Sequence, residues 1–199
     1  LSERSFNMAS RVGASPMPRL SRLSLAACLT VALAGAVWAQ AGRPYTPGPQ
    51  NVELPADWQT RFIRYATIDK ADRKIIRHFY VNPEALASAR AGAPASFGTI
   101  LVMADTRARL DAAGLPLLDL AGRFIPEPGW TAIFLAQKEA GWGEGYGPAQ
   151  RNGEWEYARL NPDLTRHPGP VQACFTCHLQ ARAAQDYSFT WWDYAAARR

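Results

Sequence analysis

Ile75-Ile76-Arg77-His78-Phe79-Tyr80-Val81-Asn82-Pro83-Glu84 changes its conformational preference after its seventh residue. The first seven are mostly β-branched or aromatic with mixed faces, which predicts a strand. Asn82 then offers an N-cap and Pro83 a first helical position, so a helix is expected from Pro83 to Ala91, with Gly92 past its end. Working outward, Gly98–Met103, Trp130–Gln137 and the alternating Gly153–Leu160 predict three more strands. Asp111–Gly114, Asp119–Gly122 and the Gly-rich Gly141–Gly147 predict turns. Asp57 can cap a short helix carrying Trp58, Phe62 and Tyr65. Short strands spaced by tight turns, with a few helices, give an α+β class: mainly antiparallel sheet with helices packed on it. A four-helix bundle does not fit this pattern.

After a Pro/Gly-rich loop (His167–Pro170) the chain reads Cys174-Phe175-Thr176-Cys177-His178. On a helix the two thiols lie about one turn apart, so both can reach the vinyl groups along one porphyrin edge. The imidazole that follows can then reach the iron. The spacing therefore predicts one covalent c-type haem, with thioethers at Cys174 and Cys177 and His178 as proximal ligand. Two other readings compete. A disulfide or thioredoxin-like redox pair normally follows a strand in a βαβ unit, which is missing here. Structural zinc needs four protein ligands, and no second pair stands at finger spacing. A helical shell like that of small cytochromes c is also excluded, because at least three segments prefer β.

The first 41 residues read as material outside the fold. Arg19 and Arg22 precede an apolar run, Leu23–Val37, followed by small residues at Ala39 and Ala41. This resembles a secretory signal peptide with cleavage after Ala39 or Ala41, and predicts a periplasmic protein. Met17 is a plausible start. The run of about fifteen residues is too short to span a bilayer comfortably. Leu25–Cys28 resembles a lipobox, but the apolar stretch continues past the cysteine, so it is read as accidental. Residues 42–51, rich in Pro and Gly, are expected to be a flexible lead-in, and 52–199 one haem domain. Arg4, Arg11, Arg19 and Arg22 against Glu3 carry +3 of the net +5, leaving +2 for the remainder. Such a balance, with no basic run interleaved with aromatics, predicts no nucleic-acid partner.

The iron's second face decides the chemistry. Beyond residue 41 the candidates are Met103, His78, His167 and three lysines, Lys70, Lys74 and Lys138. Met103 as sixth ligand would make an electron carrier, although a lone methionine is more often core filling. His78 reads as a strand residue and His167 as a solvated loop residue. With none bound, the iron is open to a small gas such as nitric oxide, and Phe79 and Phe134 are the expected distal walls. Phe189 and Trp191, close in sequence to His178, are expected on the proximal side.

Taken in order, several pieces resemble the cytochrome P-460 family, which includes the cytochromes c-prime-beta. They are Asp57-Trp58, Ile76–Glu84, Gly98-Thr99-Ile100-Leu101-Val102, Lys138-Glu139, the Trp155 strand, Ala173–His178 and Asp186-Tyr187-Ser188-Phe189-Thr190. Together they cover nearly all of 52–192. The resemblance implies a β-rich fold, one c-type haem, a periplasmic location and a homodimer. Family members that oxidise hydroxylamine or nitric oxide use a lysine bonded to the haem edge and a distal carboxylate. Met103 stands at the lysine position and Phe134 at the carboxylate position. The resemblance is therefore to the c-prime-beta branch, with hydroxylamine or nitric oxide oxidation the third reading after gas binding and electron transfer. The sequence does not decide between binding and catalysis, and names no redox partner.

Overall fold

The computed structural model describes residues 45–198. The leader, the lipobox-like Cys28 and both proposed cleavage points lie outside the described residues. Strands β1 (Ile63–Lys70), β2 (Ile75–Val81), β3 (Thr99–Arg107), β4 (Ala132–Lys138) and β5 (Trp155–Leu160) form one antiparallel sheet in chain order. Helices are α1 (Trp58–Arg61), α2 (Pro83–Ser88), α3 (Gln172–Arg182) and α4 (Thr190–Ala197). Sequential antiparallel neighbours need only short connections. The α+β expectation holds: one antiparallel sheet with a few helices.

Strand β1 is a correction. Tyr65 does not ride on the helix begun at Asp57, because α1 ends at Arg61 and the chain turns extended at Phe62. The bulge between Arg64 and Ala66 breaks the alternation that would have marked the strand. Helix α2 is also shorter than expected, stopping at Ser88, with Gly92 in a later turn. Asn82 precedes it without capping through its side chain. That side chain instead accepts from the Ile100 amide at 2.8 Å and donates to the Gly98 carbonyl at 3.0 Å, tying β2 to β3.

Both sheet faces are covered. On one, Val102, Ala104, Ile133, Leu135, Ala158 and Leu160 bury against Val52, Trp58 and Phe62. His78 belongs to this face: its neighbour in the ladder is Ala104, and its ring lies 5.9 Å from Trp130. Burial holds its imidazole below the ordinary histidine value, with Arg64 adding to the effect. Above about pH 6.5 the side chain is neutral in folded and unfolded chains alike. As pH falls toward the depressed folded value, the unfolded chain takes up the proton first, so this contribution to stability is lost. His78→Phe is expected to lose less stability than wild type between pH 7 and pH 5 in denaturant titrations.

Between β3 and β4 the chain projects as an arm stitched by the pairs Ala108–Pro126, Leu110–Pro116 and Leu118–Phe124. The expected turns recur as two copies of one device. Asp111 Oδ1 accepts from the Ala113 and Leu115 amides, and Asp119 Oδ1 from those of Ala121 and Arg123. Gly114 and Gly122 supply the left-handed residue (φ 76° and 75°). Composition pointed to a flexible lead-in, yet its second half is tied down. Gly48 N–H and Asn51 Nδ2 donate to the buried Glu156 carboxylate on β5, each at 3.0 Å, and the Tyr45 and Tyr146 hydroxyls donate to it as well. No helix among the described residues is long and apolar enough to cross a membrane.

Candidate haem site

The second sheet face carries the site. Across neighbouring strands, one row reads Phe79–Met103–Phe134–Arg159 and the next Val81–Leu101–Ala136–Tyr157. Helices α3 and α4 lie over this face and leave a cavity of about 770 Å³ between them and the strands. That volume falls within the roughly 300–1,000 Å³ typical of small-molecule and cofactor pockets. Ala136, small and central, leaves floor space that a larger side chain would fill.

Helix α3 begins after Pro170 and presents Cys174, Cys177 and His178 at i, i+3 and i+4, hence on one face. All three line the cavity, as do Phe79, Met103 and Phe134. Phe175 does not line the cavity and is buried beside it, against Tyr146 and Tyr157 with ring centroids 4.8 and 4.9 Å away. The two cysteine sulfurs form no disulfide. Burial pushes the Cys174 thiol above its ordinary value, whereas a reactive redox thiol has a lowered one. Among the described residues no group of three or more His, Cys, Asp or Glu comes together in a way that could hold a metal unaided.

His178 is set for ligation. Its Nδ1 lies 2.5 Å from the Tyr187 carbonyl. A carbonyl only accepts, so Nδ1 carries the hydrogen and Nε2 keeps the free lone pair. Burial holds the imidazole below its ordinary pKa, favouring the neutral form that a metal ligand requires. Tyr157 and Phe189 clasp the ring at 4.7 and 4.9 Å, and the Arg182 guanidinium lies 4.7 Å over Phe189. The expected neighbour Phe189 is therefore at the imidazole. Trp191 lines the cavity from α4 beside Tyr65, 5.4 Å away.

The other candidate ligands separate cleanly. His78 is on the opposite sheet face. The His167 ring accepts from the Gly169 amide at 2.9 Å and is not part of the cavity. Lys74 donates to the Gly114 carbonyl at 2.8 Å, and Lys138 is ion-paired with Asp186. Met103 remains on the wall, and Lys70 lines the cavity beside Arg73 and Arg77. Arg77 is engaged by Asp105 in a two-pronged pair at 2.8 Å. Sequence reading missed Tyr157, Tyr65 and the Tyr187 carbonyl. Period-two alternation with Trp155 was the signal that places Tyr157 on this face; the carbonyl left no signal at all.

A large apolar cavity bounded by two thiols and one neutral imidazole, on an antiparallel sheet, has the donor set of a haem pocket. The Cytochrome P460 family model matches residues 55–190, well over half of the chain, and the protein belongs to this family. Membership makes it a cytochrome with a haem cofactor. No curated protein matches the chain.

Proposed function

We propose that this is an exported, periplasmic, mono-haem c-type cytochrome whose apolar distal wall admits a small neutral gas such as nitric oxide, as in the c-prime-beta branch. Cys174 and Cys177 hold the porphyrin through thioethers, and His178 gives its Nε2 to the iron. When bound, haem supplies an iron with one coordination position left for a ligand. The chain's own residues do the rest. Tyr187 fixes the imidazole tautomer, and Tyr157 and Phe189 keep water from it. Lys70 and Arg73 line the cavity and would offer positive charge to a bound porphyrin's carboxylates.

The supporting observation is the row Phe79–Met103–Phe134, three adjacent residues on three paired strands that all line the cavity. The positions that the resemblance assigns to a cross-linking lysine and a carboxylate are here a thioether and a phenyl ring, so this row of three side chains carries no group for moving a proton. A wall of this kind favours a neutral diatomic over hydroxylamine. Arg159, its neighbour on β5, lies 5.5 Å over the Phe134 ring and helps hold it in place. Export rests on the leader pattern before residue 42, and a homodimer on the family resemblance.

Electron transfer is the second reading, because Met103 is the one thioether on that wall. Absorption spectra of protein matured with haem-attachment machinery separate the two. A high-spin, five-coordinate spectrum in both oxidation states is the expected result. A low-spin spectrum that becomes high-spin in Met103→Ala would overturn gas binding and make Met103 the sixth ligand. No haem signal would return the motif to a disulfide.

A further inference from the structure

The carbonyl that holds His178 is presented by an unfavourable stretch of backbone. Asp186 and Tyr187 are both left-handed, with φ of 49° and 53°, a region that bulky residues such as tyrosine avoid. The Tyr187 amide closes this turn onto the Arg182 carbonyl at 2.8 Å. Its second anchor comes from across the fold. Lys138, the last residue of β4, places Nζ 2.8 Å from each Asp186 carboxylate oxygen, and Oδ2 also accepts from the Ala95 amide at 2.8 Å. Both side chains are buried, at 8% and 9% exposure. The ammonium also lies 5.7 Å from the Trp155 ring and 5.9 Å from Phe97.

A buried ion pair is a poor way to gain stability, since desolvation offsets most of the attraction. Its position suggests another role. It fastens the sheet to the residue immediately before the one whose carbonyl meets the imidazole, and strained backbone persists only where its surroundings over-determine it. We propose that Lys138 and Asp186 are positioning residues that set how the Tyr187 carbonyl meets His178 Nδ1–H, and thereby how strongly the imidazole donates to iron. This rests on reading His178 as the axial ligand. A strong Nδ1–H···O=C bond makes the ring a better donor, which stabilises the ferric state. Releasing the clamp lets the turn relax, lengthens that bond and weakens the donation.

The test uses haem-loaded Lys138→Met, Asp186→Asn and the double variant, which leaves no lone buried charge. The readouts are haem staining after denaturing electrophoresis, the ferrous iron–histidine stretch by resonance Raman, and the midpoint potential. Haem should stay covalently attached in all three. The potential should rise, about 59 mV for each tenfold loss of ferric preference in this one-electron couple, and the stretching frequency should fall where the ferrous iron is five-coordinate. Lys138→Arg, which keeps the charge, should stay close to the wild-type potential and stretch. If Lys138→Met does not fold, Asp186→Asn and the double variant decide. Wild-type potential and stretch in folded variants, with only thermal stability lowered, would reduce the pair to scaffolding and overturn the proposal. Wild-type protein without haem would instead remove the reading beneath it.

Discussion

Removing both thiols, Cys174→Ala with Cys177→Ala, should abolish haem staining after denaturing electrophoresis, while either single change leaves a weakened one-bond attachment. The two sulfurs lie one helical turn apart on the cavity side of α3, and no other cysteine lies among the described residues. His178→Ala should act differently. Its porphyrin stays bonded, but the iron loses its base. The ferric and ferrous spectra should change, and the affinity for nitric oxide should shift by about 10-fold or more, the scale on which even supporting partners of metal ligands act. Acid–acetone extraction followed by ferric and ferrous spectra checks both arms. Covalent haem surviving in the double cysteine variant would end the c-type reading, and an unchanged spectrum in His178→Ala would remove the axial assignment.

The fold was legible where side-chain pattern and backbone preference agreed. Strands β2 to β5 were each visible as short β-branched or aromatic runs, and the Asp-x-Ala-Gly turns of the arm declared themselves through an aspartate with a glycine three residues later. Strand β1 was hidden because its bulge at Tyr65 breaks period-two alternation. The preceding tryptophan and phenylalanine also match helical spacing as well as they match a turn. Helix α2 ended early: the backbone turns extended at Ala89 (ψ 134°), which packs on the core from there, while Arg90 and Ala91 beyond it are exposed, and helical stability depends on packing an apolar face.

The site was legible through its covalent grammar and much less through its geometry. Cys174, Cys177 and His178 needed only sequence spacing, and Met103 and Phe134 became neighbours once two strands were in register. Which face of β2 meets the cavity was not in the pattern, since Phe79 and His78 are adjacent and equally at home in a strand. Only the register separates a distal wall residue from a core histidine. The hydrogen bond that orients His178 comes from a backbone carbonyl, to which residue identity gives no clue. The two unusual φ values that create it belong to aspartate and tyrosine, and no glycine marks the place.

Glu156→Ala should cost several kcal/mol of folding stability while leaving the cavity lining in place. The carboxylate is fully buried and lies on β5 between Trp155 and Tyr157, so it faces away from the cavity. There it gathers the Tyr45 and Tyr146 hydroxyls, the Gly48 amide and Asn51 Nδ2. Burial first, and the bond to Glu156 second, raise both phenols above the ordinary tyrosine value, so each remains a donor well into alkaline pH. Alanine removes the shared acceptor; a fully buried donor left unpaired costs about 1–3 kcal/mol, and these four, half-buried, cost a part of that each. Even if water recovers half of them, the loss is a large share of the 5–15 kcal/mol that holds a typical domain together. Glu156→Gln should recover part of it, because its carbonyl oxygen still accepts while its amide nitrogen opposes the remaining donors. Denaturant titration gives the difference in stability, and limited proteolysis should show earlier cleavage between Tyr45 and Val52. If Glu156→Ala unfolds at the wild-type midpoint, the segment is held by Val52 in the core and Arg166 on its carbonyls, and the carboxylate is incidental.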